Sequence, residues 1–178
     1  MQRYTKTAML LHWLIALMIV SAFFLGLTMV AIPGFTPTKL KYFSWHKWLG
    51  VTVLALAAVR LLWRLANKPP APLVSIPPWQ HKVAEGVHYL LYFLMFAAPI
   101  SGYLYGSAAG VPVVYLKLVT LPALIGPDPE LKAILKTVHY VLVMTMAGVV
   151  VAHALAALKH HFIDRDITLK RMLPRILP

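Results

Sequence analysis

His139, Met146, His153 and His160 recur at intervals of seven residues along the last long apolar stretch of the chain. Seven residues make almost two turns of an α-helix, so all four project from nearly one side. His139 and His153 are 14 residues apart. At about 1.5 Å per residue they stand roughly 21 Å apart along the axis, most of the way across a bilayer core of about 30 Å. An ionisable side chain at membrane depth is costly, and two on one face at opposite depths call for a shared purpose. Neutral imidazoles are metal ligands, so the spacing assigns them to two iron-holding centres, one near each membrane surface.

The membrane setting follows from composition. The chain has 178 residues, 60% of them hydrophobic and 12% charged, with a mean hydropathy of +0.74. A soluble domain of this size could not hide so much apolar surface. Apolar runs of about bilayer length recur instead, which makes this one integral membrane bundle. The first run, Ala8 to Ile32, follows Arg3 and Lys6 as a signal peptide would. It exceeds an h-region of roughly 7–15 residues and has no clear cleavage box, so it reads as a mature helix. There is no cysteine, which excludes disulfides, thiolate metal sites, iron–sulfur clusters and covalent haem attachment. The formal charge of +12 would suggest nucleic acid on a soluble protein. Here the basic residues lie in short loops and at helix ends, where topology and anionic lipid explain them, and no nucleic-acid motif accompanies them.

The elements that must position the histidines are four helices, at about residues 7–30, 42–65, 82–105 and 135–161, in one all-α transmembrane domain over 1–178. Five prolines between Ala66 and Trp79 make that loop extended. The segment at about 112–125 is apolar but contains Pro112, Lys117 and Pro122, so it is expected as a re-entrant or surface-lying periplasmic lid rather than a fifth crossing. Arg3, Lys6, Arg60, Arg64, Lys68, Lys82, Lys159, Arg165, Lys170, Arg171 and Arg175 fall on one side, eleven against six on the other. Both termini are therefore expected in the cytoplasm. Trp13, Trp45, Trp48, Trp63 and Trp79 fall near helix ends, as interfacial belts do.

With this topology the histidines pair by depth: His12 with His153 near the cytoplasmic surface, His46 with His139 near the outer one. A b-type haem needs two axial imidazoles on facing helices and an apolar slot for its macrocycle. Gly26, Gly50, Gly102, Gly106 and Gly148 are small enough to admit one. His88 competes with His12 for the inner position, and His88 and His160 are assigned to a quinone headgroup site beside the inner haem. His81 and His161 read as interfacial. A zinc or copper site needs three or four ligands converging on one ion, which the separation along the fourth helix prevents. Hydrolytic chemistry lacks a nucleophile–base pair, since Glu85 is the sole acid within the expected helices and Ser21, Ser101 and Thr145 read as packing or backbone hydrogen bonds. Arg60 and Arg64, one turn apart, either hold the inner haem's propionates or snorkel to headgroups. Lys39, Lys41, Lys47, Lys117, Lys132 and Lys136 outnumber Asp128 and Glu130 on the outer side and can steer a small anion.

These residues resemble bacterial cytochrome b561, a small di-haem family of the inner membrane. The resemblance covers nearly the whole chain: "LHW" with His12, His46 with glycine four residues on, "VRLLWRL" from Val59, "GVHYLLY" around His88, His139, "HALAALKHHF" from His153, and the tail "DITLKRMLP". The helix 4 spacing is also similar to cytochrome b subunits of formate dehydrogenases and hydrogenases. The resemblance implies two haem b groups, on His12/His153 and His46/His139, and ubiquinone near His88 and His160. A close member passes electrons from periplasmic superoxide to ubiquinone, which makes superoxide:ubiquinone oxidoreductase the expected activity. The rivals are a haem membrane anchor relaying electrons for a separate redox partner, and a haem-free transporter or scaffold.

Overall fold

The computed structural model describes residues 3–73 and 76–173; Ser75 and Arg175 lie outside the described residues. Four helices run α1 Lys6–Ala31, α2 Pro37–Ala66, α3 Pro78–Ala108 and α4 Pro129–Phe162, followed by a 3-10 turn at Leu169–Arg171. All four are long and apolar enough to cross a membrane, and the chain is a multi-pass membrane protein. Each of the last three helices starts earlier than the sequence reading expects, and the reason is the same in each. Pro37, Pro78 and Pro129 occupy the first helical turn, where a missing N–H costs nothing and the fixed φ favours the helix. Thr36 and Asp128 cap α2 and α4, Asp128 accepting from the N–H groups of Glu130 and Leu131. Glu130 thereby joins Glu85 as a helical acid.

The outward faces are apolar: Leu17, Phe24, Leu62, Leu155 and Phe162 are each more than half exposed, as lipid contact allows. Packing follows chain order, α1 on α2, α2 on α3 and α3 on α4, while α4 makes little backbone contact with α1 or α2. The core of Ile15, Val53, Ala57 and Met95 is drawn from α1, α2 and α3. None of the 34 residues of α4 is buried, so apolar packing does not explain how this helix faces the first two. At the end away from the hairpin, the segment before α1 and the start of that helix meet the segment after α4: the N–H of Tyr4 donates to Arg171 O at 3.3 Å, and Trp13 Nε1 to Met172 O at 2.9 Å.

The expected lid is an antiparallel hairpin, β1 Val113–Tyr115 and β2 Val119–Leu121. Three residues per strand are far short of the roughly 9–11 that a membrane crossing needs. Its turn places Leu116 and Lys117 at φ 50° and 63°, a left-handed pair suited to a tight hairpin but unfavourable for side chains with a Cβ. The bundle satisfies its backbone. Trp48 Nε1 donates to Val114 O at 2.7 Å, Lys47 Nζ to Val111 O at 3.3 Å and Tyr103 Oη to Pro122 O at 2.6 Å, while Tyr115 Oη meets Thr52 Oγ1 at 2.8 Å.

Removing the α4 cap tests how firmly this hairpin-to-helix junction is set. Asp128→Ala is expected to destabilise the protein by about 0.5–2 kcal/mol, read as a fall of a few degrees in thermal denaturation in detergent. An unchanged melting temperature would contradict the capping role.

Candidate functional site

Near the hairpin end, His46 of α2 and His139 of α4 face each other with ring centres 6.2 Å apart and planes at 88°. Each ring is seated on the neighbouring helix of its own pair. His46 Nδ1 lies 3.0 Å from Ala22 O on α1 and His139 Nδ1 lies 3.0 Å from Ala98 O on α3. A carbonyl only accepts, so Nδ1 carries the proton in both rings and Nε2 keeps a free lone pair. That is the arrangement by which protein backbones fix a metal-ligating imidazole. One turn beyond each carbonyl stands a glycine. A Cβ on Gly26 would lie 3.2 Å from His46 Cε1, and one on Gly102 would lie 2.8 Å from His139 Cε1. Ser101 adds a further contact, its hydroxyl 3.1 Å from His139 Nδ1 while donating to Ala98 O at 2.8 Å.

At the other end, His12 of α1 faces His153 of α4, again at 6.2 Å between ring centres, with planes at 70°. His88 of α3 approaches His153 at 5.6 Å, so three imidazoles gather there. Arg60 lies within electrostatic reach of all three and donates from Nη1 to Ala8 O at 2.9 Å. Arg64 sits 5.8 Å from the centre of the Tyr92 ring. Beside them opens a cavity of about 360 Å³ whose lining includes Arg3, Arg60, Arg64 and Lys68 and no acid. It suits carboxylate groups on a ligand.

Ala22, Ala98 and the roles of the two seating glycines are not visible in histidine spacing. An internal repeat exposes them. Lys6, Ala8, His12, Ala22 and Gly26 of α1 recur at one constant spacing as Lys82, Ala84, His88, Ala98 and Gly102 of α3. In the same way His46, Leu49, Thr52 and Leu62 of α2 recur as His139, Leu142, Thr145 and Leu155 of α4. The position matching His153 is Arg60, and the one matching Ser101 is Leu25.

The remaining expected residues scatter. His160 shares the half-buried side of α4 with His139, Met146 and His153, but its Nδ1 is 2.8 Å from Asp166 and 3.1 Å from Asp164. Asp164 also takes Lys159 Nζ at 2.7 Å. Burial tends to raise the Asp166 carboxyl, yet the Thr168 N–H and His160 outweigh it and hold it below the usual carboxylate range. His160, Asp164 and Asp166 form the metal-competent trio found among the described residues, with Asp164 already paired to Lys159. His81 Nε2 meets Leu73 O at 3.0 Å, and His161 stacks edgewise on Phe162. Of the outer lysines, Lys39 Nζ donates to Ile32 O, Lys41 lies over the Trp45 ring and Lys47 is tied to Val111. Lys117, Lys132 and Lys136 are exposed.

Imidazoles on opposite faces of one metal, with bonds of about 2 Å, place their ring centres about 6 Å apart. Both cross-bundle pairs meet that spacing, and the glycine seats leave room for nothing larger than the rings, so the residues fit bis-histidine haem ligation. Residues 3–175 match the family model described as prokaryotic cytochrome b561. The chain is 36% identical over 172 residues to cytochrome b561 homolog 2 of Escherichia coli (strain K12), covering 97% of this chain and 92% of that protein. It is 32% identical over 181 residues to cytochrome b561 homolog 1 of the same strain, covering 98% and 99%. With the probable superoxide oxidase CybB of Yersinia pestis it shares 30% identity over 179 residues, 98% and 97% of the two chains. The chain belongs to the prokaryotic cytochrome b561 family, whose members hold b-type haem and transfer electrons across membranes.

The seat of His139 is open to test. Gly102→Ala forces the ring off the Ala98 carbonyl and is expected to lower haem content per protein markedly. Gly148→Ala, with nothing within 4 Å of its Cβ, should leave that content unchanged. Equal haem absorbance in both variants would refute the seat.

Proposed function

We propose that this chain conducts electrons through two b-type haems from superoxide outside a bacterial inner membrane to ubiquinone on the cytoplasmic side. The supporting observation is that two histidine pairs, His46/His139 and His12/His153, stand at opposite depths with the same 6.2 Å between ring centres. Each haem, when bound, supplies a one-electron iron couple. The excess of basic residues beside the termini favours both termini in the cytoplasm, and the hairpin then faces the periplasm.

Each residue set has a distinct part. The four imidazoles hold the irons, and the carbonyls of Ala22 and Ala98 fix the rings of the outer pair. Arg60 and Arg64 bind the propionates of the inner haem by paired N–H donation. Lys39, Lys41, Lys47, Lys117, Lys132 and Lys136 make the outer mouth positive, which speeds encounter with a small anion and does so less as salt rises. His88, beside His153, holds the quinone headgroup, and His160, set apart from it and backed by Asp166, passes protons towards the quinone from the cytoplasm. In balance, two superoxide ions each lose one electron to become dioxygen, and one ubiquinone gains two electrons and two protons. The likeness to the probable superoxide oxidase supports this donor.

The ligand map and the donor are tested separately. His153→Ala should lose the inner haem and keep the outer, His46→Ala should do the reverse, and each should retain about half the parent's haem by difference spectrum and stoichiometry. Loss of the inner haem in His88→Ala rather than His12→Ala would overturn the pairing. Purified parent protein should reduce added ubiquinone when superoxide is supplied, more slowly at high salt. A protein with both haems that leaves superoxide untouched is instead a relay for a separate dehydrogenase or reductase. A colourless protein, expressed with ample iron and porphyrin, is a transporter or scaffold.

A further inference from the structure

We propose that Ser101 is a positioning residue that lowers the potential of the His46/His139 haem, by giving the axial ligand His139 a second acceptor at Nδ1. This rests on His139 being a haem ligand. The two halves of the molecule present nearly the same seat to their outer imidazoles: a helix carbonyl at Nδ1, from Ala22 or Ala98, and a glycine one turn on. They differ at the residue just before that glycine, which is Leu25 in the first half and Ser101 in the second. Leucine offers the ring no polar atom. Ser101 is 5% exposed, its Oγ lies 3.1 Å from His139 Nδ1, and its own proton goes to Ala98 O at 2.8 Å.

The direction of donation is forced. With Nε2 on iron, Nδ1 must carry the ring proton, and the Ser101 proton is already committed to Ala98. The Ser101 oxygen therefore accepts from Nδ1–H, which it shares with the Ala98 carbonyl. Two acceptors draw that proton further than one, so His139 becomes the more electron-rich ligand. An electron-rich axial imidazole stabilises the oxidised iron and lowers the potential of its haem. In a dry helix interface this polarisation is not shared with water.

The second break in the repeat acts in the same sense at the other end. Arg60 replaces a histidine and sets a fixed positive charge near His12 and His153, which favours the reduced iron there. Together the two substitutions tilt the gradient so that electrons run from the His46/His139 haem to the His12/His153 haem.

The test is redox titration of purified holoprotein, followed by visible absorbance. Ser101→Ala should keep both haems, move one midpoint potential upward and leave the other in place. The isosteric pair Ser101→Thr and Ser101→Val repeats the comparison at equal volume, so that an effect of packing moves both and an effect of the hydroxyl separates them. The Thr variant should stay near the parent and the Val variant should follow Ala. Potentials that coincide in Thr and Val, with both haems bound, would overturn the proposal while leaving the ligand map intact. Full haem content in His139→Ala would instead sink the map itself.

Discussion

An imidazole inside a bilayer must find a partner for each of its nitrogens, and that requirement organises the bundle. For His46 and His139 the Nδ1 side is settled by helix carbonyls, so the Nε2 side is aimed across the bundle. The consequence is largest for α4. It packs along α3, buries no residue, and meets α1 and α2 through His153–His12 and His139–His46. Lipid tails are as apolar as leucine, so no hydrophobic force draws this helix toward the first two. What the structure places between α4 and the first two helices is the pair of histidine contacts, and under the proposed ligation the same imidazoles that hold the irons also fix the fourth helix.

The duplicated hairpin explains how a short chain builds such a site at two depths. Each half supplies a first helix with a histidine, an alanine carbonyl and a glycine, and a second helix whose histidine rests on that carbonyl. The duplication matches α1 with α3 and α2 with α4, so it pairs His46 with His139 at one end and His12 with His88 at the other, and it does not relate the two ends. The departures, Arg60 opposite His153 and Ser101 opposite Leu25, fall beside imidazoles rather than on lipid-facing positions.

Much of this was legible before any coordinates. Four helices, the depth pairs and the shared face of α4 follow from apolar run length and a heptad of histidines, since both are consequences of helix pitch. Helix starts are less visible because Pro37, Pro78 and Pro129 signal a break when read alone, yet serve as first-turn residues, Pro37 and Pro129 behind a side-chain cap. The sequence offers Gly26 and Gly102 as room for a macrocycle but gives no sign that they also stand against the imidazoles. Ser101 read as backbone bonding, which it does, but its reach to His139 depends on how α3 is rotated against α4. Periodicity within one helix carries no information about that angle. The partners of His160 were hidden for a similar reason, because Asp164 and Asp166 return to it only once the chain reverses after α4.

The hairpin shows the same accounting of polar groups at the opposite end. Extended backbone cannot face lipid with its N–H and C=O groups unmatched, and a ladder of three residues per strand leaves most of its edge open. The bundle answers with side chains rather than with more strand: Trp48, Lys47, Tyr103 and Thr52 each meet a hairpin group. Trp48 and Lys47 directly follow His46 in α2. The turn of helix that presents His46 to the interior therefore also anchors the lid, so a shift of one must move the other. At the tip of the lid the Lys117 side chain is exposed, where its ammonium can reach water while the hairpin backbone stays matched to the bundle.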